Sequence, residues 1–191
     1  MNAVLDLDSL ITFKQISGWG RRDLVNSKLI NLKSSREIIN FIKESNPSSL
    51  ITRGLGRSYG DAAQLKDEFV LNVDFSKRIS LSGNQLTVGG GVIIKDLLEV
   101  IVPLGYFLPV SPGSAQVTIG GAIAADVHGK NHHVDGSFGN YVLEIKIIDG
   151  EGNLRIFSQS DNQNSDNFWA TVGGMGLTGV IIESTFKLLP I

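Results

Sequence analysis

The spacing of apolar and polar residues predicts two amphipathic helices and a shorter third one. Isoleucines recur at helical spacing over 36–44, where Ser34 or Ser35 can cap the first turn. A second helix is predicted over about 93–102, before a proline and a glycine that end it. The third is predicted over 167–171.

Strands are predicted where short apolar runs are bounded by turn-forming residues. These runs lie at 49–53, 69–75, 79–81, 85–88, 141–148, 154–158 and 180–188. The turn at 149–152 would join two of them as a hairpin. Residues 1–33 show little periodicity beyond the turn sequence SGWGR at 17–21. Because strands outnumber helices and several are joined by hairpins, the predicted fold class is α+β.

Composition narrows the class of protein without changing this fold. Seventeen basic and 19 acidic residues give a net charge of −2, which argues against a nucleic-acid partner. Cysteine is absent, so disulfides and thiolate chemistry are excluded. The N-terminus carries Asp6 and Asp8 and does not resemble a signal peptide, and no apolar run reaches the length of a transmembrane helix. We therefore expect a cytoplasmic protein.

The first candidate site is the glycine-rich loop RGLGRSYG at 53–60. Its glycines have the spacing G-x-G-x-x-x-G, which does not match the Rossmann fingerprint. Consecutive main-chain N–H groups in such a loop can instead hold an anion, with Arg53 and Arg57 adding positive charge. The alternative is a glycine-rich turn with surface arginines.

A second candidate is SPGSAQVTIGGAIA at 111–124. Ser114 and Thr118 supply hydroxyl groups, the two consecutive glycines should expose N–H groups, and a helical turn at 122–125 could begin over a pyrophosphate. The alternative is a tight helix–sheet contact that needs small residues. Glycines return at 173–179, where the main chain could pass along a flat cofactor or could simply enter a strand.

All three histidines of the chain lie within DVHGKNHH at 126–133. A metal site is disfavoured, because Gly129 and Asn131 oppose a regular helix and H-E-x-x-H is missing. Buried structural histidines are a second interpretation. The favoured one is a proton-transfer or redox site, in which His128 and Lys130 polarise a bound ring or substrate.

Four segments together carry a resemblance to a known family. They are SGWGR at 17–21, TRGLGRSYGDAAQ at 52–64, the block from LTVGGG to GSFGN at 86–140, and FWATVGGMGLTGVI at 168–181. In this order they resemble the FAD-binding domain of the vanillyl-alcohol-oxidase superfamily, of the PCMH type. Within it they are most similar to the FAD-linked sugar oxidoreductases grouped with decaprenylphosphoryl-β-D-ribose 2′-oxidase.

The resemblance implies a two-lobed FAD-binding domain, with a small lobe over about 1–80 and a larger lobe over about 81–191. The pyrophosphate should lie between the 53–60 loop and the 118–121 turn. The implied cofactor-binding residues are Arg53, Gly54, Leu55, Gly56, Arg57, Ser58, Tyr59, Gly60, Gly113, Ser114, Thr118, Gly120, Gly121, Ala125, His128, Gly129 and either Val180 or Ile181.

The implied activity is the FAD-dependent oxidation of a CH–OH group in a sugar, a polyol or a lipid-linked pentose, with an unknown electron acceptor. His128 would be the catalytic residue, assisted by Tyr59 and Lys130. Relatives that bind FAD covalently have a histidine where this chain has Tyr59, so non-covalent FAD is expected. No metal is expected in the site.

Length separates this chain from the family. The family's catalytic chain is much longer, and its C-terminal domain covers the flavin and recognises substrate. We expect that domain to be absent over 1–191, so that the chain alone binds FAD weakly or not at all and turns over poorly. Two other functions stay open at this point: a non-catalytic nucleotide-binding module and a histidine-dependent metalloenzyme.

Overall fold

The computed structural model describes residues 10–73, 77–161 and 165–191. The end of the strand predicted over 69–75 lies outside the described residues. The helices are α1 (Ser35–Ser45), α2 (Ile94–Ile101), α3 (Ile119–Ala124), α4 (His132–Asp135) and α5 (Ser165–Thr171), with short 3₁₀ helices at Val102–Leu104 and Phe138–Tyr141. The strands are β1 (Ile11–Ile16), β2 (Val25–Ile30), β3 (Leu50–Arg53), β4 (Phe69–Asn72), β5 (Ile79–Ser82), β6 (Gln85–Gly89), β7 (Tyr106–Phe107), β8 (Val142–Ile148), β9 (Leu154–Ser158), β10 (Val180–Lys187) and β11 (Leu189–Pro190).

The first sheet contains four strands in the order β1-β2-β4-β3. β1 and β2 are antiparallel, whereas β4 is parallel to both β2 and β3. Sequence periodicity missed β1 because four consecutive residues, 12–15, are exposed at this edge of the sheet. An edge strand without a buried face has no alternation to detect.

The second sheet contains five antiparallel strands in the order β5-β6-β10-β8-β9. Its two outer strands, β5 and β9, each form a hairpin with the neighbouring strand, and the β8–β9 hairpin is the one predicted at 149–152. The C-terminal strand β10 lies in the centre and pairs with both β6 and β8. The observed mixture of helices and antiparallel strands confirms the predicted α+β class.

Helix α1 packs where the two sheets meet. Ser34 caps it, because its hydroxyl oxygen accepts a hydrogen bond from the Glu37 N–H at 3.2 Å. The apolar face of α1 is buried in a cluster that combines residues of the first sheet with Ile148, Val180 and Ile182 of the second. A larger core lies between the second sheet and helices α2 and α3. The two sheets therefore share buried apolar surface.

Candidate nucleotide-binding cleft

A cleft of about 400 Å³ brings the predicted glycine segments together. It is lined by most of the loop that follows β3, by the start of α3 and by the strand that returns as β10. The predicted cofactor-binding residues in its wall are Gly54, Leu55, Gly56, Arg57, Ser58, Tyr59, Gly113, Ser114, Thr118, Gly120, Gly121, Ala125 and Ile181. Residues far apart in sequence thus share one groove.

The two glycine segments touch at Gly54 and Thr118. A Cβ atom built on Gly54 would overlap the Thr118 hydroxyl oxygen, so the approach depends on the missing side chain. Gly56 has a φ of +64° and also lacks room for a Cβ, because the Arg53 guanidinium lies against it. These contacts give the loop its path along the cleft.

The loop at 54–60 presents backbone donors that the protein itself does not use. Within the described part of the chain, none of the N–H groups of residues 54–60 donates a hydrogen bond. The loop is held in place through a carbonyl instead, because the Ser58 carbonyl accepts a hydrogen bond from the Trp19 N–H at 2.8 Å. Free N–H groups along a glycine-rich loop are suited to an anion.

The start of α3 behaves differently from the prediction. The N–H of Gly120 donates to the Gly90 carbonyl at 2.8 Å, and the N–H of Gly121 donates to the Thr118 hydroxyl at 3.2 Å. The Ile119 N–H donates to the Val92 carbonyl. The expectation that the glycine pair exposes free N–H groups is therefore wrong. A glycine suits position 120 because a Cβ atom there would crowd the backbone of Gly90.

The two arginines of the loop have separate environments. Arg53 lies beneath the loop and donates to the carbonyls of Ala63 at 2.8 Å and Ser17 at 2.7 Å. Burial lowers the pKa of Arg53 from its usual value. Arg57 is exposed, and its guanidinium carbon lies 4.4 Å from the centre of the Trp19 ring. Among the described residues that line the cleft, Arg57 is the only charged one.

Several wall residues were not predicted from the sequence. Trp19 belongs to SGWGR, which the sequence identified as a turn and as a segment of the family resemblance but not as part of the site, although an aromatic residue between two glycines was a usable signal. Met175, which has a φ of +53°, and the next residue, Gly176, also line the cleft. The other additional residues are Thr52, Ala62, Ala63, Val73, Pro112, Val117, Ala124 and Val127. Small and apolar side chains dominate this set.

Six predicted residues do not line the cleft. They are Arg53, Gly60, His128, Gly129, Lys130 and Val180. The sequence left open whether Val180 or Ile181 faces the site, and the structure places Ile181 in the wall and Val180 in the core beneath α1.

His128 follows the wall residue Val127 and is exposed on a loop that leaves the cleft. It forms an isolated β-bridge with Ser137, and its ring centroid lies 4.9 Å from that of His132. In the 3₁₀ helix that follows this loop, burial and then the Asp135 carboxylate raise the pKa of Tyr141. Over residues 10–73, 77–161 and 165–191, no three His, Cys, Asp or Glu side chains form a metal-binding group.

This architecture and its cleft define a cofactor-binding domain. A family model described as FAD binding domain matches residues 27–158, and the chain belongs to that family. The chain is 40% identical over 185 residues to decaprenylphosphoryl-beta-D-ribose oxidase of Mycolicibacterium smegmatis, covering 94% of this chain and 40% of that protein.

The chain is also similar to two more distant relatives. The chain is 26% identical to D-lactate dehydrogenase of Archaeoglobus fulgidus, covering 86% of this chain and 39% of the relative. It is 23% identical to D-arabinono-1,4-lactone oxidase of Kluyveromyces lactis, covering 81% of this chain and 30% of the relative. The chain thus spans less than half the length of each of these three relatives. Among the described residues, no helix is long and apolar enough to span a membrane. The cytoplasmic location stays a prediction.

Proposed function

We propose that this chain is the FAD-binding domain of an oxidoreductase that oxidises a CH–OH group of a sugar, a polyol or a lipid-linked sugar. One observation carries the proposal: among the described residues, N–H groups that donate no hydrogen bond and one arginine, the only charged residue of the wall, line a cleft whose other residues are mostly small and apolar. The match to the FAD-binding family supports this choice, and so does the similarity to a ribose oxidase and a lactone oxidase.

The cleft residues fit a dinucleotide by their chemistry. The N–H groups of Gly54 to Gly60 and the Arg57 guanidinium would hold the pyrophosphate, because both are donors without an acidic neighbour in the described cleft wall. Thr118 and Ser114 also line the cleft. Ile181, Val117 and Val127 supply apolar surface for a flat ring. The glycines leave the space that side chains would otherwise fill.

Bound FAD would accept the hydride of the substrate CH–OH group. The protein then has to take the hydroxyl proton, and we assign this role to His128, which follows the wall residue Val127. Tyr59 lines the cleft, where its hydroxyl would orient the substrate. Lys130 does not line the cleft but lies on the same exposed loop as His128, from which it would assist His128. Non-covalent attachment is part of the proposal, because the chain has no cysteine and has Tyr59 at the position of the attaching histidine.

Titration of the purified chain with FAD tests the cofactor assignment. We expect the flavin absorbance band to shift and sharpen on binding, and acid precipitation to release all of the flavin. Flavin absorbance that stays that of free FAD at millimolar protein would refute the assignment.

The catalytic assignment needs a second measurement. In the protein that carries this domain, a His128→Ala variant should retain FAD and lose about 10²-fold or more in the rate of anaerobic flavin reduction by substrate. His133→Ala, which changes an exposed neighbouring histidine, is the matched control. An unchanged rate in flavin-loaded His128→Ala would remove His128 from the mechanism.

A further inference from the structure

Asp126 occupies a backbone position that normally selects glycine. It follows the last residues of α3, and its φ is +41°. The Asp126 N–H donates to the Ile123 carbonyl and the Val127 N–H donates to the Ala122 carbonyl, each at 3.0 Å. This pair of bonds is the Schellman arrangement, in which glycine is preferred at the left-handed residue. An aspartate there accepts backbone strain, which glycine would avoid.

The side chain of Asp126 explains why an aspartate is useful at this position. Its Oδ1 atom accepts a hydrogen bond from the Gly139 N–H at 2.9 Å. Gly139 is buried, and a Cβ atom there would overlap Val172 and approach Trp169 of α5. A buried N–H group without an acceptor is costly, so the carboxylate satisfies a group that the fold has removed from water.

The bond closes the loop at 127–138 at its base. Phe138 donates its N–H to the Val127 carbonyl at 2.9 Å, one residue inside the Asp126–Gly139 contact. Further out, the Asn131 side chain donates to the Pro109 carbonyl. The loop begins in the cleft wall at Val127 and carries His128 and Lys130. The hydrogen bonds at the base of the loop therefore fix the position of Val127 in the wall and the point from which His128 and Lys130 extend.

The same helix end is joined to the other glycine cluster. The Gly173 N–H donates to the Ile123 carbonyl at 3.0 Å, and the Met175 N–H donates to the Ala124 carbonyl at 2.8 Å. Met175 also has a positive φ and lines the cleft. Two non-glycine residues in the left-handed region thus lie at one end of α3, beside the cleft. Strain of this kind persists where the surrounding contacts over-determine the backbone.

We propose that Asp126 is a positioning residue. Its carboxylate anchors the 127–138 loop and thereby holds the adjoining cleft wall, from Ala125 to Val127, in the form that binds FAD. The anchoring stands on this structure alone, whereas the effect on FAD rests on the proposed function. Asp126 need not touch the cofactor, because it acts through Gly139 and the loop base.

Two substitutions at Asp126 separate its backbone role from its side-chain role. Asp126→Gly keeps the left-handed backbone and removes the carboxylate. Asp126→Asn keeps an oxygen acceptor and tolerates the same φ. Asp67→Gly is the matched control, since Asp67 is an exposed aspartate with a φ of +59° that does not line the cleft.

The first measurement is amide hydrogen exchange at Gly139, followed by NMR without any cofactor. Asp126→Gly should accelerate exchange at Gly139 by roughly tenfold or more, as expected for a lost hydrogen bond to a charged acceptor. Asp126→Asn should restore most of the protection, and Asp67→Gly should leave it unchanged. Wild-type protection of Gly139 in Asp126→Gly would overturn the anchoring.

The second measurement is the FAD dissociation constant of the same variants at a temperature where all are folded. If the binding-competent wall falls to about a tenth of the molecules, the dissociation constant rises roughly tenfold in Asp126→Gly and returns near wild type in Asp126→Asn. Unchanged affinity in Asp126→Gly, or an equal loss in Asp67→Gly, would overturn the positioning role. A wild-type chain that takes up no FAD would instead refute the proposed function, while exchange at Gly139 would still decide the anchoring.

Discussion

Gly54 lies directly against the side chain of Thr118, with no room between them for even one additional carbon atom. Gly54 follows the last residue of β3 in the first sheet, and Thr118 caps α3, which packs on the second sheet. The Thr118 oxygen is already committed to the Gly121 N–H. The width of the cleft therefore depends on a contact between a glycine and a fixed hydroxyl.

A Gly54→Ala substitution should push the two segments apart. The added methyl group overlaps Thr118, and overpacking of this kind costs about 1–3 kcal/mol of unfolding free energy. We expect FAD affinity to fall at least tenfold as the wall shifts. Urea unfolding and flavin titration measure the two effects. Gly20→Ala is the control, because no atom lies within 4 Å of a Cβ atom at Gly20. Equal stability of the two variants would contradict this account of the contact.

Arg53 and Arg57 should differ in what they support. Arg53→Met removes two hydrogen bonds from a partly buried guanidinium and leaves the Ala63 and Ser17 carbonyls without their donor, so we expect a loss of about 2–3 kcal/mol. Arg57→Met removes an exposed contact with Trp19 and should cost about 1 kcal/mol or less. FAD affinity should respond more strongly to Arg57. Chemical unfolding and flavin titration of both variants check this, and a reversed order would disprove it.

Trp19 should report on the cleft. The chain has two tryptophans, so Trp169→Phe leaves Trp19 as the single emitter. Trp19 is 47% exposed and lines the cleft, whereas Trp169 does not line it. Bound FAD should reduce acrylamide quenching of Trp19 by at least twofold, because the ligand covers its ring. The reciprocal Trp19→Phe variant is the control, and protection of Trp169 alone would place the ligand elsewhere.

Asp149 should make stability depend on pH. Burial alone would raise the pKa of Asp149, but hydrogen bonds from the Asn153 N–H, the Arg155 side chain and the Glu151 N–H outweigh burial and lower it. A carboxylate with a depressed pKa stabilises the fold above its unfolded pKa, and this contribution is lost as pH falls through the folded pKa. Asp149→Asn should therefore cost about 1 kcal/mol at pH 7 and almost nothing in strong acid.

Urea unfolding of Asp149→Asn and wild type between pH 7 and pH 2 measures this dependence. Asp67→Asn, at an exposed aspartate, is the control. A difference between Asp149→Asn and wild type that stays constant across this range would show that the carboxylate charge is not responsible.

Much of the fold followed from periodicity, because most elements have one clearly buried face. The predicted helix over 36–44 corresponds to α1, and the predicted hairpin at 141–158 corresponds to β8 and β9. β1 was missed because positions 12–15 are all exposed, and β2 was missed because its buried position 27 is a serine, so that neither strand shows an apolar alternation. The pairing of β10 in the centre of its sheet is a long-range property that no local pattern encodes.

The sequence predicted which glycine segments form the site, but it did not predict which of their N–H groups are free to bind a ligand. The loop after β3 could be identified because three glycines at 54, 56 and 60 directly follow a predicted strand. The donors of Gly120 and Gly121 could not be judged, since their partners Gly90 and Thr118 are set by tertiary packing. Trp19 was missed as a wall residue because its partner Arg57 is distant in sequence.

The apolar cluster beneath α1 has a consequence for how the chain acquires its structure during synthesis. Ile38 and Ile42 of α1 are buried partly by Val180 and Ile182, which emerge from the ribosome long after α1 does. Until β10 has been synthesised, the first sheet and α1 expose an apolar surface to water. We would therefore look for chaperone contacts with the nascent chain in that interval.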